Sequence, residues 1–289
     1  TGVSFGKDYL MKSLGTVAIL GVGLIGGSIG LALRQRGLAE RVIGIGRNAS
    51  RLRKAKQLGA VTETTTSIER GVCAADVVIV GTPVQHVVDH VSQVSQFVRP
   101  DTLITDVGST KQTIVQGLRS LDNGVFIGSH PMAGSDQGGV VNATANLFEQ
   151  RTVVITPDKS TDRNITSRIS RFWKSLGARV VEMNCREHDR AVAVISHLPH
   201  SISSVLSSQA TQQQLKLAAG GWTDTTRIAG ADPELWLAIL QDNNKQVIRA
   251  VDRFLADLHK FRDALENDNT RVLLRYLKQG KQNRESLGN

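Results

Sequence analysis

The chain has 289 residues, 40% of them hydrophobic, 21% charged and 4% aromatic, with a formal net charge of +9. That length allows one large domain or two ordinary ones with ample core, and the composition is that of a soluble globular protein. No apolar run reaches bilayer-spanning length, and aromatics are too scarce for a stacking platform on single-stranded nucleic acid, so neither membrane nor nucleic acid is an expected partner. The basic excess fits attraction of a small anionic substrate, which needs only a local field from a few arginines. Two cysteines, Cys73 and Cys185, make no disulfide framework and read as free thiols in a reducing, cytoplasmic compartment.

Residues 1–13 lack the apolar stretch of a secretory signal and read as a disordered leader or an expression remnant, with Met11 a candidate natural start. Thr16-Val17-Ala18-Ile19-Leu20 predicts a first strand, followed by a helix from near Leu24 that turns Ile25, Ile29, Leu31 and Leu33 inward. Val42–Ile45 predicts a second strand. Ser50 is read as the cap of a helix from Arg51 to Leu58, ended by Gly59. Asp76–Val80 predicts a strand ending at Gly81-Thr82-Pro83, and Thr102–Val107 one ending at Gly108-Ser109-Thr110-Lys111. Further strands are expected at Val125–Ile127, Thr152–Ile155 and Val180–Met183. Continuous β-branched strands separated by helices indicate a parallel sheet covered on both faces.

After about residue 184 helical spacing takes over. Val192, Ile195, Leu198, Ile202, Val205 and Leu206 form one stripe, and Val247, Val251, Phe254, Leu255, Leu258 and Leu265 another. Gly220-Gly221 and Asp232-Pro233 separate helices, and the basic tail from Arg271 to Arg284 reads as a solvated helix end that frays. The expected fold is α/β: an N-terminal Rossmann-type doubly wound parallel sheet over residues 14–184 and a C-terminal all-helical dimerisation domain over 185–289. More apolar stripes than one sheet flank requires predict a homodimer through the helical half.

Gly21-Val22-Gly23-Leu24-Ile25-Gly26 follows a predicted strand and opens a predicted helix, the context that makes this motif a dinucleotide site. Gly21 permits the tight turn, Gly23 lets the backbone approach the pyrophosphate, and Gly26 lets helix and strand pack. Leu24 and Ile25 open the helix whose free N–H groups face the phosphates. The second strand ends in Gly46-Arg47-Asn48, with Arg51 one turn on. No carboxylate is present to bond a ribose diol, and two guanidiniums are available for a 2′-phosphate, which favours NADP over NAD; the bland alternative is that Arg47 stacks on adenine and either cofactor binds. Thr82 and Pro83 lie at the carboxyl edge of the sheet, as does Ser109, which either caps a helix or reaches the nicotinamide or a histidine. Gly128-Ser129-His130-Pro131-Met132-Ala133-Gly134 places one imidazole where a strand is expected to end beside the dinucleotide, suggesting hydride transfer with His130 as acid/base.

These pieces resemble the prephenate and arogenate dehydrogenases of tyrosine biosynthesis. The resemblance rests on the glycine motif through Ser28, on Asp106-Val107-Gly108-Ser109-Thr110-Lys111, on the His130 segment, on Ser196-His197-Leu198-Pro199-His200, and on Asp224-Thr225-Thr226-Arg227-Ile228-Ala229 followed by Leu235-Trp236. It covers roughly residues 14–270. Gly46 departs from the acid of NAD-dependent members. The resemblance implies hydride transfer from C4 of a cyclohexadiene, loss of the C1 carboxylate as carbon dioxide, and aromatisation, with His130 accepting the hydroxyl proton and Ser109 orienting it or the nicotinamide. Arg227 is implied to bind the side-chain carboxylate bidentately. Asp224, His197, His200 and Trp236 join Ser109 and His130 as candidate substrate contacts.

His197 and His200 are three apart, and Asp189, eleven before His200, is close to three helical turns away, so an Asp189–His200 pair is expected. An HxxH without a defined third ligand is a poor zinc signature, and no metal is expected. Pro199 is expected to kink this helix toward the site, and Trp236 either walls the pocket or sits in the core. The chain ends soon after the helices, so no appended regulatory or mutase domain is expected. Two rival readings remain: another hydroxyacid or imine oxidoreductase of Rossmann-plus-helical build, which would carry a lysine where His197 and His200 stand, and a non-enzymatic dinucleotide-binding redox sensor, which has no need of His130 or an arginine pocket.

Overall fold

The computed structural model describes residues 13–134 and 137–287; nearly all of the expected N-terminal leader lies outside them. The chain first builds β1 (Thr16–Leu20), α1 (Leu24–Gln35), β2 (Arg41–Ile45), α2 (Ala49–Gln57), β3 (Glu63–Thr65), α3 (Ile68–Val72), β4 (Val77–Val80), α4 (Val87–Ser95), β5 (Leu103–Asp106) and α5 (Gln112–Gly117). It continues with β6 (Val125–Pro131), β7 (Thr152–Thr156), α6 (Arg163–Ser175) and β8 (Arg179–Glu182). The rest is helical: α7 (Cys185–Val192), a π turn (Ala193–His197), α8 (Leu198–Gln209), α9 (Gln212–Leu215), α10 (Gly220–Thr226), α11 (Pro233–Asp242), α12 (Asn244–Glu266) and α13 (Thr270–Glu285).

The eight strands form one sheet in the order β3-β2-β1-β4-β5-β6-β7-β8. Because side chains alternate along a strand, β1 sends Val17 and Ile19 into one core with Ile29, Leu33, Phe148 and Trp173, and Ala18 and Leu20 into a second on the opposite face with Ile45, Val80 and Val91. Covered faces explain the continuous apolar strands. Strand order reverses between β1 and β4, and a crevice forms at their carboxyl ends, the usual ligand position in such sheets.

The sheet is not wholly parallel. β6 runs antiparallel to β7, with His130 opposite Val154 and Pro131 opposite Val153. His130 therefore sits inside an extended strand rather than in a loop after Ile127, and its ring is held by a ladder on a rigid element. Asn48, not Ser50, caps α2: its side-chain oxygen accepts from the N–H groups of Ser50 and Arg51 at 3.0 and 3.1 Å. The basic tail is a full helix, α13, packed on α12 through Phe261 and Tyr276, whose rings meet edge to face at 5.9 Å. Among the described residues no helix is long and apolar enough to cross a membrane.

The π turn before Pro199 explains how a proline is carried within one continuous helical path. Proline lacks an N–H and crowds the preceding turn, and a widened turn removes that conflict. The same turn shifts the helical phase. The buried side of this segment is largely polar, with His188, Asp189, His197, His200 and Ser203 beside Val192 and Ala193; of the expected stripe Val192 is buried, while Ile195 and Val205 face outward.

Candidate active site

The glycine motif forms a cradle at the β1–β4 crevice. Gly21 has φ +94, and a Cβ there would come within 2.6 Å of the Gly81 carbonyl oxygen. A Cβ on Gly26 would lie 2.3 Å from the Gly21 oxygen, so both positions exclude any side chain. Gly23 differs: nothing lies within 4 Å of its Cβ position, and the open space faces the start of α1. That helix has no side-chain cap and no acidic residue in its first turn, leaving the N–H groups near Leu24 and Ile25 to bond an anion. These residues fit a dinucleotide pyrophosphate. Thr82 Oγ1 lies 2.9 Å from His90 Nδ1 beside the crevice, and Pro83 is exposed at its rim. Burial first, then the neighbouring His86 and Arg47, hold His90 below the usual imidazole value. Arg47 and Arg51 are exposed past the end of β2.

His130 is buried at the far side of the same edge. Burial first, then His188 and Lys111, hold its pKa well below the ordinary imidazole value, so the ring is neutral at pH 7. Its Nδ1 lies 2.8 Å from His188 Nε2. His188 Nδ1 in turn lies 2.7 Å from Asp189 Oδ1. The two carboxylate oxygens of Asp189 also accept the backbone N–H groups of Lys111 and Gln112, each at 2.8 Å. Asp189 thus caps α5 from the helical half of the chain, and Ser109 does not. The expected Asp189–His200 pair does not form, because the π turn rotates the two residues apart.

A second buried cluster supports the loop that carries Ser109. Asp106 accepts from the N–H of Gly108 at 2.7 Å and of Ser129 at 3.1 Å, and pairs with the Lys111 ammonium, both side chains fully buried. Sequence reading quoted Lys111 only as part of a motif and passed over His188 and Asn243. A lysine five residues after an aspartate carries no signal of burial, and His188 lies in a short helix whose apolar pattern is weak. Ser109 is half-buried at this edge.

The remaining candidates gather on the helical half. His200 stacks on Trp236 with ring centroids 3.6 Å apart and planes 8° from parallel, and His197 meets the same indole edge-on at 6.1 Å. Trp236 itself packs against the apolar core beside β4 while its ring face is covered by His200. Asn243 Nδ2 donates to the Asp189 carbonyl at 2.8 Å and lies 3.2 Å from His197 Nδ1. An amide nitrogen only donates, so His197 accepts at Nδ1 and carries its proton on Nε2. Burial pushes the His197 pKa down to about 4 and also lowers that of His200. His197 Nε2 and His200 Nδ1 are buried without a hydrogen-bond partner among the described residues. A buried orphan polar atom is costly unless a ligand satisfies it. Arg227, exposed at the end of α10, starts a short turn packed on α8, and Asp224 is exposed three residues before it; neither makes an ion pair among the described residues.

Comparison with known proteins gives the family of the chain. Residues 29–182 match the family model of the prephenate dehydrogenase nucleotide-binding domain, and residues 184–279 that of the prephenate dehydrogenase dimerization domain. The prephenate dehydrogenase of Bacillus subtilis is 34% identical over 281 residues, 94% of this chain and 76% of the relative. The cyclohexadienyl dehydrogenase of Zymomonas mobilis is 29% identical, covering 94% of this chain and 95% of the relative. Among solved structures, that of prephenate dehydrogenase from A. aeolicus, in complex with hydroxyphenyl propionate and NAD+, superposes with a TM-score of 0.89 at 32% identity, covering 96% and 99% of the two chains. Synechocystis arogenate dehydrogenase gives 0.79 at 28% identity over 94% of this chain and 99% of that one. With both family models matched in succession along the chain and a relative 34% identical over 94% of its length, the chain belongs to the prephenate dehydrogenase family.

Proposed function

We propose that this chain oxidatively decarboxylates prephenate or arogenate, as a homodimer, with NADP preferred over NAD. The observation that carries the reading is the neutral, buried imidazole of His130, fixed on a strand at the sheet edge that holds the glycine cradle. When bound, the nicotinamide supplies the hydride acceptor. Removing hydride from C4 leaves positive charge there, and His130 takes the hydroxyl proton as that charge develops. The C1 carboxylate leaves as carbon dioxide, the electron pair of the broken bond runs through the ring toward the C4 oxygen and completes the aromatic ring, and His130 returns its proton to that oxygen. The products are 4-hydroxyphenylpyruvate from prephenate and tyrosine from arogenate.

The other residues bind and orient. The unpartnered Nε2–H of His197 and the unpartnered Nδ1 of His200 suit the polar groups of a dianionic ring, with Trp236 as the apolar wall behind them. Arg227 is assigned to the side-chain carboxylate, with Asp224 beside it, and Ser109 to the orientation of His130 or the nicotinamide. NADP preference is supported by Arg47 and Arg51 at the end of β2 with no carboxylate beside them. The homodimer is supported by apolar side chains left exposed on the helical half, including Val194, Ile195, Ile248, Leu255, Leu258 and Leu265. The domains assigned to these tasks are residues 14–184 and 185–289. The test is a steady-state comparison of prephenate and arogenate, each with NAD and NADP. Reduction of either cofactor by either substrate supports the reading; none in all four pairings overturns it.

A further inference from the structure

Two groups on the helical half, His188 and Asp189, have no counterpart in the reaction chemistry just described, yet both are buried against the base. Their hydrogen bonds run in one direction. Both Asp189 oxygens accept backbone N–H groups, from Lys111 and Gln112, so the carboxylate acts as an acceptor at both ends. The close His188 Nδ1 contact with Oδ1 then requires the imidazole to donate. An imidazole with a single proton, placed on Nδ1 by that bond, has a bare Nε2. That atom lies 2.8 Å from His130 Nδ1, which must therefore carry a proton. What is left on His130 is an unprotonated Nε2.

Resting on the reading of His130 as the base, we propose that Asp189 and His188 are positioning residues that lock His130 in the Nδ1–H tautomer with its Nε2 free for the substrate hydroxyl. The chain has two consequences. It fixes the ring that must accept a proton in the one tautomer able to do so. After transfer, the imidazolium keeps its Nδ1–H donated to His188, whose own Nδ1–H remains on the Asp189 carboxylate, so the new charge faces an anion across one intervening ring. No proton needs to leave His130 through the relay.

The arrangement also makes the base depend on how the two halves are docked. His130 and the start of α5 belong to the sheet, whereas His188 and Asp189 begin the helical half. One carboxylate therefore holds the α5 terminus, next to the Ser109 loop, and sets the direction of the histidine chain. His197 shows the opposite setting. There Asn243 donates to Nδ1 and leaves Nε2 protonated, so neighbouring imidazoles are preset as an acceptor and a donor by their respective partners.

The test has two parts. In the wild-type protein with NADP or NAD bound, selective 15N-histidine NMR is expected to show His130, assigned by its loss in His130→Asn, protonated at Nδ1 and bare at Nε2. An Nε2–H tautomer overturns the proposal whatever the activity. In kinetics, His188→Met is expected to lower kcat by about 10–100-fold, by analogy with loss of the partner that orients a metal-bound histidine, with KM little changed. His188→Gln keeps an amide oxygen able to accept from His130 Nδ1–H and is expected to recover most of the loss. Equal losses in Met and Gln variants that both bind cofactor like wild type would overturn the tautomer role. If wild type turns over neither substrate, the reading of the reaction fails while the NMR result still decides the relay.

Discussion

The histidines at the two sides of the site are held in different ways. His130 has its Nδ1 tied through His188 to Asp189, and Asp189 is itself saturated by backbone donors. His197 and His200 are just as buried, yet each keeps a ring nitrogen with no partner among the described residues. In the first, protein groups orient the ring through to a carboxylate and leave only Nε2 for a ligand; in the second, the atoms left unmet are buried polar groups of the rings themselves. Under the proposed function the contrast is between a pre-set reacting group and a binding surface whose desolvation is offset when substrate arrives. Loss of the first is therefore expected to act on turnover, and loss of the second on affinity.

The largest expected effect tests the pre-set side. His130→Asn should bind cofactor normally and lose about 10²–10⁴-fold in turnover, the range for a general acid/base. Stopped-flow or steady-state rates beside a cofactor titration would show it, and near-wild-type turnover would remove His130 from the chemistry.

The unpartnered side carries a stability signature. Burial, opposed by the Asp189 charge and assisted by His188 and His200, lowers the His197 pKa to about 4. A histidine depressed in the folded state is protonated first in the unfolded chain, so its stabilising effect is present above about pH 6.5 and is lost as pH falls toward 4. The full difference is on the order of 3 kcal/mol. Denaturant unfolding across that window should show the loss, and His197→Gln should flatten it. An unchanged slope in the variant would assign the acid sensitivity to other groups.

Arg227→Ala should raise KM with little change in kcat, since a carboxylate clamp acts alike in ground and transition states. A charge-assisted contact of about 1.5–3 kcal/mol corresponds to roughly one to two decades. An unchanged KM for both substrates would place Arg227 outside the pocket. The smallest effect concerns the cofactor. A Cβ at Gly46 would touch only Leu52, at 3.6 Å, so Gly46→Asp is sterically tolerated and its carboxylate should turn preference from NADP toward NAD. A wild type that already prefers NAD severalfold would show that Arg47 reads no phosphate.

The cradle was legible because its signal is local: a strand, a spaced set of glycines and a helix start fall within one short stretch. The alternation of strands and helices, and the change to helical spacing after residue 184, were legible for the same reason. What escaped depends on distant chain. β3 has three residues, too few for a periodicity. β6 extends through Gly128-Ser129-His130-Pro131 because β7 pairs with it, and that vocabulary reads as a turn until the partner is known. Sequence reading makes Ser50 alone the cap of α2; Asn48, two residues earlier, takes the role because its side-chain oxygen reaches the free N–H groups of Ser50 and Arg51. The Asp189–His200 pairing assumed an unbroken 3.6-residue period; a π turn between them slips the phase by about one residue, roughly 100°. The Asp189–His188–His130 chain joins positions 58 and more residues apart, and no spacing rule on one helix could have found it.

The central claim is that hydride removal and decarboxylation are one reaction at this site. The most direct measurement is the stoichiometry of carbon dioxide released to cofactor reduced, on whichever of prephenate and arogenate the chain turns over. The account predicts equal amounts at all times, with both signals lost together in His130→Asn. Cofactor reduction without carbon dioxide would make the protein an ordinary alcohol dehydrogenase and contradict it.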